Sequence, residues 1–186
     1  MHLIFLGPPG VGKGTQAKRI CDRFDIIHLS TGEILRTEIA VQSNIGNQAK
    51  LFIDKGKLVP DNVLLDIIDN RLKNNDVQKG YLLDGFPRTI PQAEGLEKIM
   101  KELSHSLKAT VSLLANENEL VQRLINRSLE SGRSDDAQDI IRQRQKVFWE
   151  QTAPLLDFYR SKNLLKEVNG VGEISIITER ILEVLI

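Results

Sequence analysis

The chain predicts an α/β fold with a five-stranded parallel sheet flanked by helices, and two observations carry that prediction. Five short β-forming runs each precede a longer segment of helical periodicity, the rhythm of βαβ units. The first run passes directly into a glycine-rich turn, GPPGVGKGT from Gly7 to Thr15, and then into a helical pattern. Strand, glycine turn and helix in that order form a phosphate-binding loop. Backbone N–H groups point inward because glycine tolerates dihedrals that other residues resist, and the helix adds its unpaired donors and the positive end of its dipole. Lys13 supplies a mobile cation for the outer phosphates of a nucleoside triphosphate. The place after the lysine usually holds a serine or threonine that ligates magnesium; here it is Gly14, with Thr15 one residue later.

Strands are expected at His2 to Leu6, Ile26 to Leu29, Tyr81 to Leu83, Ala109 to Ala115 and Leu165 to Val168. Helices are expected at Gly12 to Phe24, Asp61 to Asn74, Thr89 to Leu103, Glu117 to Glu130, Asp136 to Tyr159 and Glu173 to Leu185. Pro154 lacks a backbone donor, so it should kink or restart the helix from Asp136. Between Ser30 and Pro60, two shorter helical stretches, Gly32 to Val41 and Ile45 to Lys55, follow one another without a strand between them and read as a small helical subdomain. The polar stretch SLESGRSDD, Ser128 to Asp136, reads as a loop between two long helices. Both interruptions are placed to move relative to the sheet.

A chain of 186 residues buries a full core and fits one domain with small insertions. Lys plus Arg and Asp plus Glu both number 25, so no global field draws nucleic acid or an anionic membrane, and neither is an expected partner. Cys21 is the only cysteine, which excludes an internal disulfide and any multi-cysteine zinc site and fits a reducing cytosol. The opening MHLIFLGPPG is too short and uncharged for a signal peptide, and no apolar run approaches membrane-spanning length. A soluble, cytoplasmic protein is therefore expected.

In an open parallel sheet, ligands collect at the carboxyl ends of strands, so Asp84, ending the apolar run of YLLDGFPR, should lie near the glycine turn. A carboxylate there suits Mg²⁺, directly or through water; the other reading is an aspartate that caps a turn. Arg88, after Gly85 and Pro87, could grip a second phosphate bidentately or form a surface salt bridge. Arg123 and Arg127 share a helical face, while Arg133 and Arg144 align if their helix reaches back to Arg133. Such a run reads either as a solvated basic face or, because it flanks the polar loop, as cations that closure brings onto a polyphosphate.

These residues resemble a family closely, the adenylate kinases within the nucleoside monophosphate kinases. The resemblance spans nearly the whole chain through GPPGVGKGTQ, LSTGEILR, GKLVPD, LLDGFPRTIPQA, GRSDD and QTAPLLDFY. It implies a P-loop NTPase fold whose core is residues 1–29, 60–126 and 137–186, with an NMP-binding insertion at 30–59 and a short lid at 127–136. It also implies reversible Mg²⁺-dependent transfer, ATP + AMP = 2 ADP, serving adenine nucleotide homeostasis in a monomer. By this resemblance Gly10, Val11, Gly12, Lys13, Gly14 and Thr15 hold the ATP phosphates, Arg123 and Arg127 lie on the ATP side, and Gly172 gives a backbone contact to its adenine. Thr31, Arg36, Lys57, Leu58, Val59, Gly85, Phe86, Pro87, Arg88 and Gln92 match the AMP contacts. Arg133 and Arg144 match arginines that bridge toward AMP and the phosphoryl in flight. Lys13, Arg88, Arg123, Arg127, Arg133 and Arg144 then form the catalytic set, with Asp84 holding Mg²⁺ through water. Gly14 fits as well, since the family replaces the hydroxyl residue and holds Mg²⁺ largely through water.

Two departures stand out. About five residues separate Arg127 from Arg133, a short lid for which structural zinc is not expected. Glu33 occupies a place where the family commonly has aspartate, and no ligand role is assigned to it. The implied nucleophile is a phosphate oxygen of AMP, mostly dianionic at neutral pH because the second pKa of a phosphate monoester is about 6. No general base is needed, so His2, His28 and His105 read as packing or surface residues. UMP/CMP kinases share much of this pattern, but Thr31 with Gln92 favours adenine. A GTP-dependent switch would need an Asn-Lys-x-Asp segment, which is missing. A non-enzymatic nucleotide-binding regulatory module need not retain Arg88, Arg123, Arg127, Arg133 and Arg144 together.

Overall fold

In the computed structural model, which describes residues 1–131 and 137–186, five strands form one sheet in which every pairing is parallel. They are β1 (His2–Leu6), β2 (Ile27–Ser30), β3 (Tyr81–Asp84), β4 (Leu107–Leu114) and β5 (Leu165–Asn169), in the order β2-β3-β1-β4-β5. The apolar run of β1 makes it the central strand, because a strand covered on both faces has no polar side to show. Its alternation divides the core. Leu3 and Phe5 face α1 (Lys13–Phe24) and α9 (Ile174–Leu185). Ile4 and Leu6 face α4 (Asp61–Leu72), α5 (Ile90–Glu102) and α8 (Pro154–Ser161). Leu3, Ile4 and Phe5 are fully buried, each worth about 1.5–3 kcal/mol of transfer free energy. The sheet is the five-stranded parallel one the sequence predicts, flanked by helices on both faces.

The strand register delivers the site. Phe5 and Ser30 both pair with Asp84, so the carboxyl ends of β1, β2 and β3 finish level with one another. Directly after Ser30 come α2 (Thr31–Ala40) and α3 (Asn44–Ile53), each capped by a serine hydroxyl, Ser30 on Glu33 N and Ser43 on Gly46 N. They pack so closely that a Cβ at Gly46 would lie 2.1 Å from the Glu38 carbonyl oxygen. Only glycine fits there, and the two helices are held as a pair.

After α6 (Glu117–Ser131), the expected helix from Asp136 to Tyr159 is three pieces: α7 (Gln138–Val147), a π turn over Phe148–Thr152, and α8. The interruption falls one turn before Pro154. Because proline has no N–H, the carbonyl four residues back has no helical donor, and Ala153 N–H reaches Phe148 O at 2.8 Å, the longer bond of a π turn. That turn buries the Thr152 side chain, whose hydroxyl donates to Arg88 O at 2.9 Å. The helix expected from Asp61 to Asn74 ends at Leu72, and a 3₁₀ turn, Asn75–Lys79, follows. No helix among the described residues is long and apolar enough to cross a membrane.

At the opposite end of the sheet, His2 stacks on Tyr81 and on His105, with ring centroids 4.5 Å apart in both pairs. Burial lowers the pKa of both imidazoles, and the charge of the terminal amine lowers both further. The folded state thus binds fewer protons than the unfolded chain below the ordinary imidazole value of 6.5, and stability is lost as pH falls through that value. Thermal melts from about pH 7 to about pH 5 should show a falling midpoint, and His105→Asn should flatten that fall by roughly half. An identical pH profile in the variant would contradict the assignment.

Candidate active site

The glycine turn after β1 is built by close approach. Gly7, Gly10 and Gly12 have φ of 139°, 88° and 93°, dihedrals that β-carbon-bearing residues rarely adopt. A Cβ at Gly7 would stand 2.6 Å from Leu113 O, and one at Gly10 would stand 2.7 Å from Leu120 O. The turn is therefore pressed onto β4 and α6. Lys13, first residue of α1, folds back to donate to Gly7 O at 2.6 Å and Pro8 O at 3.1 Å. Its ammonium lies in the concave face of its own loop.

Two adjoining cavities open here. The larger, about 410 Å³, lies over the turn and is lined by Gly10, Gly12, Lys13, Gly14 and Thr15, with Asp84, Arg123 and Arg127. The smaller, about 130 Å³, is lined by Thr31, Leu35, the Lys57 to Val59 segment, Phe148 and Thr152. Lys13, Arg36, Arg88 and Arg144 line both. The wall between the cavities is thus cationic.

Asp84 is largely buried and receives a 3.3 Å hydrogen bond on Oδ2 from His28 Nε2. Burial pushes its carboxyl up. The His28 hydrogen bond, with the charges of Lys13, His28 and Arg88, outweighs burial and holds it below the ordinary carboxylate value. An ionised carboxylate therefore faces the turn. Gly14 lies opposite; even an added Cβ would be 3.6 Å from Asp84 Oδ2, so the glycine leaves room between loop and carboxylate. Ser30 and Glu33 line the same cavity, giving the hard oxygen donors that suit magnesium and its waters.

The arginines arrive from four elements. Arg88 follows the cis Phe86–Pro87 peptide, its Nε donating to Gly85 O at 2.7 Å and its carbonyl held by Thr152. Arg36, on α2, lies over Gly32. Arg123, on α6, donates to Gly170 O at 3.3 Å and pairs with Glu119, and Arg127 lies one turn further along the same cavity. Arg144, on α7, is followed by the buried Gln145, whose Nε2 donates to Pro9 O at 3.0 Å and ties that helix to the turn. Arg133 lies outside the described residues, as does half of the expected lid, residues 132–136.

Six of the predicted site residues, Val11, Gly85, Phe86, Pro87, Gln92 and Gly172, line neither cavity. Gly172, with φ of 121°, lies in the loop after β5, two residues beyond Gly170, where an added Cβ would meet a Val11 methyl at 3.0 Å. Phe86 is fully buried. Gln92 is also fully enclosed, with its amide bonded to Arg88 N and to Asp61. Thr31, by contrast, lines the smaller cavity while its hydroxyl donates to Gly85 O at 2.9 Å.

The sequence matches known proteins along most of its length. The family model described as adenylate kinase matches residues 5–164. The chain belongs to the adenylate kinase family. An adenylate kinase of Stenotrophomonas maltophilia is 45% identical over 182 residues, 98% of this chain and 97% of its own. Adenylate kinases of Cyanothece sp. and Leptospira biflexa are each 45% identical, over 97% and 98% of this chain and 92% and 98% of their own. As a family member the chain is a phosphotransferase.

Sequence reasoning passed over His28, reading it as packing or surface, whereas it holds the Asp84 carboxylate. Strand register carries the missed signal, because β2 runs alongside β3 and ends level with Asp84. Gln145 and Asp61 gave none, since their partners are a loop carbonyl and side chains distant in sequence.

Burial depresses the Lys13 ammonium, Asp84 opposes that fall, and Arg88, Arg144 and Arg127 add to it, leaving a pKa of about 8. A polyphosphate arriving beside the amine favours its charged form, so binding should take up protons where Lys13 is part-deprotonated. Calorimetry of ATP binding near pH 8, in buffers of different ionisation heat, should show uptake of a fraction of one proton, abolished by Lys13→Met. Proton release on binding would contradict this placement.

Proposed function

We propose that the chain transfers the γ-phosphoryl group of ATP reversibly to AMP, forming two ADP, and that the two cavities hold the two nucleotides. The carrying observation is the shared wall: Lys13, Arg36, Arg88 and Arg144 line both cavities. A transferring group must pass between donor and acceptor, and its charge is followed best by cations that touch both sides. The larger cavity takes ATP, its phosphates on the N–H groups of Gly10 to Thr15 and on Lys13, Arg123 and Arg127, with Gly172 near the base. The smaller takes AMP, with Arg36 and Arg88 on its phosphate and Thr31, Lys57 to Val59, Gly85 to Pro87 and Gln92 toward its base.

Mg²⁺ fits beside Asp84, with Ser30 and Glu33 nearby, and when bound there it would neutralise charge on the donor phosphates. AMP phosphate is already a nucleophile, so the side chains supply alignment and charge rather than a base. About 130 Å³ is well below the roughly 300–1,000 Å³ of small-molecule sites, so the acceptor side has to open to admit AMP. Residues 30–59 supply the moving wall, and residues 127–136, with Arg133, act as a short lid; their closure excludes water before transfer. A cytoplasmic monomer accords with the balanced charge and the single buried cysteine.

Incubation with Mg-ATP and each nucleoside monophosphate in turn, with quantification of diphosphates, tests this reading. ADP should form from AMP far faster than the pyrimidine monophosphates react. Arg88→Lys should lower kcat roughly 10²-fold, because a point charge cannot replace a bidentate fork at the transferring group. No ADP from AMP plus ATP would overturn the proposal.

A further inference from the structure

Gln92 is the only side-chain amide among the residues assigned to AMP. A glutamine amide has nearly the same shape either way round, and reversing it exchanges donor for acceptor. Here its orientation is fixed from both sides. Arg88 N–H donates to Oε1 at 2.7 Å, and Nε2 donates to Asp61 Oδ1, also at 2.7 Å. The same Oδ1 accepts from the Thr89 hydroxyl at 3.0 Å, and that hydroxyl accepts the backbone N–H of Gln92 at 3.2 Å. Reversal would set an NH₂ group against the Arg88 N–H and an oxygen against a carboxylate. Neither contact is a hydrogen bond.

We propose that Asp61 is a specificity-positioning residue, which holds Gln92 in the orientation that accepts a 6-aminopurine and refuses a 6-oxopurine. This rests on the assignment of Gln92 to the AMP base and on opening of the acceptor side, which must uncover an amide that is fully enclosed in the structure described. With one bond made on each side, the amide keeps one lone pair on Oε1 and one hydrogen on Nε2. Adenine offers the complement, a donor at N6 and an acceptor at N1. A 6-oxopurine offers the reverse, an acceptor at O6 and a donor at N1. A glutamine free to turn would serve both bases; one held in place serves only adenine. Asp61 opens α4 two residues after Val59, so the lock sits where the acceptor wall joins the sheet.

The decisive quantity is the ratio of kcat/KM for AMP over IMP, two substrates that differ only on this edge. Asp61→Ala, which removes one of the two bonds fixing the amide and leaves only that from Arg88 N–H, should lower that ratio at least tenfold, roughly the discrimination one misplaced hydrogen-bond pair provides. Asp61→Asn keeps an oxygen for Thr89 and Gln92 and should restore the ratio to within about twofold of the parent chain. Should Asp61→Ala not fold, Thr89→Ala removes the hydroxyl that anchors Asp61 and should lower the ratio in the same direction. A purely structural role for Asp61 would lower the melting temperature and leave the ratio unchanged, and that result overturns the proposal. Gln92→Leu separates the two levels. If it leaves the ratio unchanged, the base assignment itself fails; if it collapses the ratio while Asp61→Ala does not, only the lock fails.

Discussion

Like charges crowd around one small volume in this molecule, and the rest of the site follows from that crowding. Lys13, Arg36, Arg88 and Arg144 share a wall, with Arg127 along the larger cavity, and the mutual repulsion helps depress the lysine. Such a cluster is favourable only beside concentrated negative charge. Asp84 and Glu33 line the larger cavity beside these cations, and a polyphosphate is the kind of ligand that would add further negative charge. A rigid frame is needed to hold the cations this close without their ligand. The parallel sheet is that frame: β1 and β3 end together, the glycine turn is pressed onto the carbonyls of Leu113 and Leu120, and Thr152 fixes the loop carrying Arg88.

The division of labour between elements explains why so much of this site touches backbone rather than side chain. Lys13 is held by carbonyls of its own loop, Arg123 reaches Gly170 O, and Gln145 reaches Pro9 O. Carbonyl acceptors hold a cation in place without cancelling its charge. Carboxylates take part as well. Glu119 pairs with Arg123 at the edge of the larger cavity, and Asp84, facing the turn, is held by His28 so that its remaining oxygen capacity stays directed at the site.

Features set by local chemistry were legible in the sequence. The strand-glycine-helix order located the phosphate loop, and short β-forming runs placed all five strands to within about two residues. Features set by packing between distant segments were not. Pro154 announced a break, but its form, a π turn one turn upstream that aims Thr152 at Arg88, depends on the carbonyl left without a donor and on the loop it meets. Asp84 was found because it ends a strand. Its partner His28 was missed because pairing of β2 with β3 is a topological fact, and no spacing in the chain encodes it. Gln92 was read as a base contact; its present engagement with Asp61 and Arg88 N is visible only once α4 and α5 are brought together.

The proposed meeting of donor and acceptor across one cationic wall calls for direct transfer, with no phosphorylated side chain between them. The stereochemical course at phosphorus tests this most directly. ATP whose γ-phosphorus is made chiral with sulfur and oxygen isotopes should transfer its thiophosphoryl group to AMP with inversion, the signature of a single in-line displacement. Retention of configuration would require two successive displacements through an intermediate carrier, and it would contradict direct transfer across the shared wall.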